Sequence, residues 1–161
     1  MYAQTVRKAL AKIELMKRQA KRSVFYYIDN FVSIEDKDQP GAVIDFTMWA
    51  KQREALELFN DEDRCIVLKA RQLGLTWLAL AYATYLLVFG PGKTVAAISE
   101  TENDAKELVR RVKFILRHLP DWLIREQTKE LDPNYTGPTL PLRYTQFWKA
   151  CFLEDCLPYW R

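Results

Sequence analysis

A short apolar run, Cys65-Ile66-Val67-Leu68, passes directly into a cationic stretch, Lys69-Ala70-Arg71-Gln72-Leu73-Gly74-Leu75, and then into the apolar residues 76–89. No other feature constrains the fold of this chain as much. Four apolar residues rich in β-branching predict a buried parallel strand, and residues 76–89 predict a buried helix that Gly90-Pro91-Gly92 stops. Residues 94–98 (Thr-Val-Ala-Ala-Ile) predict a second strand. A further helix, capped by Ser99 or Thr101 and carrying Glu102 and Asp104 in its first turn, runs to about Leu119 before Pro120 ends it. Strand, helix, strand, helix in that order is the pattern of an α/β protein with a parallel sheet.

Upstream, Val6, Leu10, Ile13, Met16, Ala20 and Val24 recur at three- and four-residue steps, which predicts one long amphipathic helix. Residues 25–32 continue it or turn into a short aromatic segment. Residues 36–41 (Asp-Lys-Asp-Gln-Pro-Gly) form a loop by composition. Residues 46–59 resume a helical pattern, ended by Asn60-Asp61-Glu62-Asp63. Beyond about residue 127 the periodicity fails. The chain therefore divides into a basic helical arm and linker (1–45), a partial phosphate-loop domain (46–127) and an irregular tail (128–161).

Composition narrows the function classes. Hydrophobic residues at 49% and charged residues at 28% of 161 suit a globular chain able to bury a core. A net charge of +3 is too small to imply nucleic acid by itself, but residues 7–22 gather Arg7, Lys8, Lys12, Lys17, Arg18, Lys21 and Arg22 against Glu14 alone. That face is either a solvated helix surface, a track for a DNA backbone, or a docking helix for a partner. Cys65, Cys151 and Cys156 lack the spacing and the histidine neighbours of a zinc site or disulfide framework, so Cys65 is expected to pack as a small hydrophobe in a reducing compartment. Residues 77–89 are too few to cross a bilayer, which takes roughly 20, and the basic first stretch has no secretory apolar core.

A phosphate loop needs a strand that ends abruptly, inward-turned backbone N–H groups, and a helix whose N-terminus faces the anion. The usual pattern is G-x-x-x-x-G-K-[ST]. Here Gly74 and Thr76 fill the second glycine and hydroxyl positions, Lys69 stands at the first glycine, and Leu75 stands where lysine belongs. A lysine rooted at the strand end can curl back over the loop, and Arg71 adds a second cation. The bland alternative is a polar connection whose basic residues are incidental. Gly92-Lys93-Thr94 matches the G-K-T letters, yet it follows a helix and precedes a strand, so no helix N-terminus backs its threonine.

Residues 66–77, Ile-Val-Leu-Lys-Ala-Arg-Gln-Leu-Gly-Leu-Thr-Trp, resemble the deviant Walker A segment of tailed-phage terminase large subunits, in which an Arg-Gln pair is common. Residues 46–52, Phe-Thr-Met-Trp-Ala-Lys-Gln, are similar to that family's adenine-recognition segment, some 20 residues ahead of the loop. The resemblance covers roughly residues 25–125. It implies a RecA-like P-loop ATPase core that couples ATP hydrolysis to DNA packaging, with ATP and Mg2+ as ligands. Nucleotide would be bound by Lys69, Ala70, Arg71, Gln72, Leu73, Gly74, Leu75 and Thr76, and Thr76 would also ligate the magnesium. Trp49 would stack on adenine and Gln52 would read its edge. The plain alternatives are a core anchor for Trp49 and a solvent-exposed helix position for Gln52. Double-stranded DNA, a portal protein, the small terminase subunit and further copies in a homo-oligomeric motor are the implied partners, and the host bacterial cytoplasm is the implied location.

The family continues into a Walker B strand ending Asp-Glu and a nuclease domain with clustered acids. Cys151-Phe152-Leu153-Glu154-Asp155 supplies acids after too short an apolar run. A truncated or frame-disrupted product with a non-native final stretch would account for this, and an incomplete sheet would leave the fold marginally stable. Two other function classes fit the residues: a non-enzymatic DNA- or partner-binding module built on the basic helix, and a generic helicase-like P-loop ATPase.

Overall fold

The apolar run that follows Gly74 becomes the central element of the protein. A computed structural model describes residues 2–39, 41–90, 93–124 and 151–152. The helices in chain order are α1 (Tyr2–Arg22), α2 (Val24–Phe31), α3 (Ala50–Asp61), α4 (Leu75–Phe89) and α5 (Glu102–His118). The strands are β1 (Ser33–Glu35), β2 (Val43–Asp45), β3 (Ile98–Ser99) and β4 (Cys151–Phe152).

Helix α4 is apolar all round, the mark of a helix enclosed by others, and α2, α3 and α5 pack around it. Leu78, Ala81, Thr84 and Val88 are buried along it. They meet Tyr27 and Ile28 of α2, Leu56 of α3, and Val112, Ile115 and Leu116 of α5 in one core. The buried Thr84 hydroxyl donates to the Ala81 carbonyl at 2.7 Å and accepts from the Tyr27 hydroxyl at 3.1 Å, so both polar groups are satisfied in apolar surroundings. Burial pushes the Tyr27 phenol well above its ordinary range.

Local chemistry sets the helix ends. The Ser23 hydroxyl accepts the Tyr26 N–H at 3.2 Å, which caps α2 and separates it from α1, where the periodicity alone had predicted a helix running on through Val24. Thr101 caps α5 by accepting the Asp104 N–H at 3.2 Å. Through residue 12 the described side chains of α1 are exposed on every face, and the helix joins the body only from Ile13 onward, with Met16 packed on the core and Ala20 buried.

The architecture is mixed α/β, mostly helical, with a small antiparallel sheet. β1 and β2 form a hairpin in the register Ser33↔Asp45, Ile34↔Ile44 and Glu35↔Val43, closed by the Asp36 N–H to Ala42 carbonyl bond at 2.9 Å and by Gly41 at φ 87°. β3 and β4 pair in parallel over two residues each. The expectations of a buried strand at 65–68 and of a second strand filling 94–98 are corrected. Residues 65–70 run without secondary structure, Ile66 and Leu68 are fully exposed, and of the second segment only Ile98 enters a strand. A strand is stable only with a neighbour to complete its ladder, and among the described residues none flanks 65–68. Cys65 is likewise exposed rather than packed as a core thiol. Apart from β4, the tail assigned to 128–161 lies outside the described residues. Among the described residues no helix is long and apolar enough to cross a membrane.

Candidate functional site

The loop between residue 68 and α4 makes two left-handed turns. Gln72 has φ 65° and Gly74 has φ 67° with ψ 3°. Gln72 is the one described non-glycine residue at positive φ, a conformation that costs a side-chain-bearing residue of order 1 kcal/mol. Gly74 is required twice over. Its backbone is left-handed, and a Cβ there would sit 2.7 Å from Gln52 Nε2.

Gln52 braces this bend. It is buried in α3, with 4% of its surface exposed, which sets aside the solvent-exposed alternative. Its Oε1 accepts the Trp49 N–H at 3.3 Å and its Nε2 donates to the Leu73 carbonyl at 3.0 Å. One carboxamide thereby ties the start of α3 to the loop 21 residues later. Trp49 is the N-cap residue of α3 and is 53% exposed, which sets aside the core-anchor alternative.

Beyond the bend, α4 begins on bare backbone. Its N-cap is Gly74, no side chain caps it, and no acid occupies its first turn. The first helical bond runs from the Leu78 N–H to the Gly74 carbonyl at 3.1 Å, so the N–H groups of Leu75, Thr76 and Trp77 have no intrahelical acceptor. With the helix dipole, worth about half a positive charge at this end, they favour an anion.

This end opens into a cleft of about 630 Å3. Lys69, Gln72, Leu73, Gly74, Thr76 and Trp77 form one wall, residues 34–37 and Ile44 of the hairpin another, and Arg110 and Arg111 of α5 a third. Of the residues expected to hold nucleotide, the structure brings Lys69, Gln72, Leu73, Gly74 and Thr76 together here, with Gln52 behind them. Ala70, Arg71, Leu75 and the Trp49 ring are not part of the cleft wall. Lys69 and Arg71 are exposed and form no ion pair with a described residue.

The remaining charges are organised around α5. Arg110 donates to Glu35 Oε2 at 2.5 Å and to both Glu107 oxygens at 2.6 and 2.8 Å. Arg111 donates to Glu107 Oε1 at 2.8 Å and lies 5.1 Å from the Trp77 ring centroid, a cation–π contact. Hydrogen bonds from Arg110 hold Glu35 below its ordinary value of 4.5 and hold Glu107 down at about 2. Carboxylates depressed in the folded state stabilise it above their unfolded value and lose that contribution as pH falls through the folded one. Thermal melts of wild type and Glu107→Gln should therefore differ most above pH 4.5 and converge as the pH approaches 2; a gap that does not depend on pH would contradict this bridge.

The cations Lys37, Arg110 and Arg111 escaped the sequence reading because they reach the loop from other elements, where neither period nor motif marks them. Among the described residues no group of three or more His, Cys, Asp or Glu side chains could hold a metal ion. The Thr76 hydroxyl, half-buried in the first turn of α4, is an oxygen ligand of the hard type that magnesium takes, and magnesium keeps several waters beside such a ligand. The backbone of Cys151 and Phe152 pairs with β3, and the acids weighed for a Walker B role, Glu154 and Asp155, lie outside the described residues. A scan against protein-family models finds none that matches the chain, and a search of curated proteins finds no relative.

Proposed function

We propose that this chain is an ATP-binding part of a DNA-packaging motor of the terminase large-subunit kind. One observation carries the reading: residues 69–76 turn through two left-handed residues into the bare N-terminus of α4, inside a cleft lined by Lys37, Lys69, Arg110 and Arg111 together with the carboxylates of Glu35 and Asp36. A triphosphate fits that arrangement, because the amides of residues 75–77 can donate to its oxygens and Lys69 can neutralise its charge. Magnesium, held on the Thr76 hydroxyl, would screen the charge of the phosphate oxygens. The exposed Trp49, at the start of the helix that carries Gln52, suits stacking on a base, and Gln52 supports the loop beneath.

The reading places the loop in a RecA-like P-loop ATPase core. Hydrolysis would drive double-stranded DNA through a portal protein, with the small terminase subunit and further copies of this chain as partners in the bacterial cytoplasm. The exposed cations along α1 supply a surface for the DNA backbone, and DNA binding that did not weaken with salt would remove that part. The direct test is calorimetric titration of Mg2+-ATP into wild type, Lys69→Ala and Thr76→Ala. Each variant should bind about tenfold more weakly, the loss of one charge-assisted contact. Equal affinity in all three proteins would sink the reading.

A further inference from the structure

The loop lacks lysine at position 75, and its own Lys69 stands at the far end of the bend. Another cation faces the bend from the hairpin. Lys37, in the turn between β1 and β2, lines the same cleft as Lys69, Gln72, Gly74 and Thr76, and its Nζ donates to Gln72 Oε1 at 3.1 Å. The two residues are 35 positions apart in sequence. That acceptor is a neutral carboxamide, and Lys37 forms no ion pair with a described residue. The acid next to it, Asp36, also lines the cleft, and its Oδ1 accepts the Asp38 N–H at 2.9 Å within the turn.

The hairpin that carries Lys37 is anchored. Glu35, two residues earlier, accepts from Arg110 through Oε2 at 2.5 Å and from the Gly41 N–H through Oε1 at 3.1 Å. Its side chain is 19% exposed, and Arg110 is in turn held by Glu107. The turn is thus tied to α5 on one side and touches Gln72 on the other.

Building on the nucleotide reading of this cleft, we propose that Lys37 is a phosphate-contacting residue that supplies from the hairpin the positive charge missing at position 75, and that the Glu35–Arg110 bridge positions it. A lysine on a mobile stem moves from a carboxamide to a phosphate oxygen with a short shift of its ammonium, gaining a charge-assisted bond in place of a neutral one. Phosphates beyond the first should feel it most.

Calorimetric titration of the full chain with ATP, ADP and AMP in Mg2+, for wild type, Lys37→Ala, Lys37→Arg and Glu35→Gln, tests this. Lys37→Ala should weaken ATP by about tenfold, ADP by less, and AMP not at all, with the melting temperature unchanged because Lys37 is exposed. Lys37→Arg should restore most of the ATP affinity, and Glu35→Gln should reproduce part of the ATP loss. Wild-type ATP affinity in Lys37→Ala, or an equal loss for ATP and AMP, would overturn the proposal while leaving the nucleotide reading intact. A wild type that binds none of the three nucleotides would overturn both.

Discussion

Gly74→Ala is expected to lose ATP binding almost completely, by about a hundredfold or more. At φ 67° an alanine is strained by roughly 1–2 kcal/mol, and its Cβ would sit 2.7 Å from Gln52 Nε2. Gln52 cannot simply swing away, because it is buried and its carboxamide joins Trp49 to Leu73. The strain is therefore relieved by reopening the bend, which turns the amides of residues 75 and 76 off a common anion. Two charge-assisted bonds at about 1.5–3 kcal/mol each account for a hundredfold loss. The check is a Mg2+-ATP titration beside a urea melt. A variant that binds as wild type does would show that the left-handed turn is incidental to the ligand.

Gln52→Leu should cost both stability and affinity. Leucine is close to glutamine in size but carries no polar atoms, so the Leu73 carbonyl and the Trp49 N–H lose their partner. Leaving such groups unpaired costs about 1–3 kcal/mol each, and urea unfolding should show a loss of roughly 2–4 kcal/mol. ATP affinity should fall with it, as the loop loses its support from α3. If the variant were as stable as wild type and its affinity dropped selectively, Gln52 would be acting on the nucleotide itself and the bracing role assigned to it would be wrong.

Helices α4 and α5 were legible in the sequence because local chemistry marks their ends: Gly74 and Gly90 bound one, Thr101 and Pro120 the other. The brace at Gln52 was not, since its two partners lie at sequence distances of 3 and 21. Residues 65–68 show the opposite failure. Their β-branched, apolar character signals a strand, but the state also depends on flanking strands, and Ile66 and Leu68 stand exposed without them. The hairpin went unseen because Ser-Ile-Glu and Val-Ile-Asp are three residues each and half polar, too short to show a period. Its docking onto α5 rests on Glu35 and Arg110, 75 residues apart, which no local pattern connects. That the hairpin and α5 close together around the loop is thus visible only in three dimensions.

The claim on which the rest depends is that the backbone amides at the start of α4 receive an anion. Amide hydrogen exchange of the full chain with and without Mg2+-ATP reads those groups directly. Protection should rise at Gly74, Leu75, Thr76 and Trp77, with smaller changes in the hairpin around Lys37 and none along residues 4–12 of α1. Exchange at residues 74–77 that is identical with and without saturating nucleotide would contradict the account.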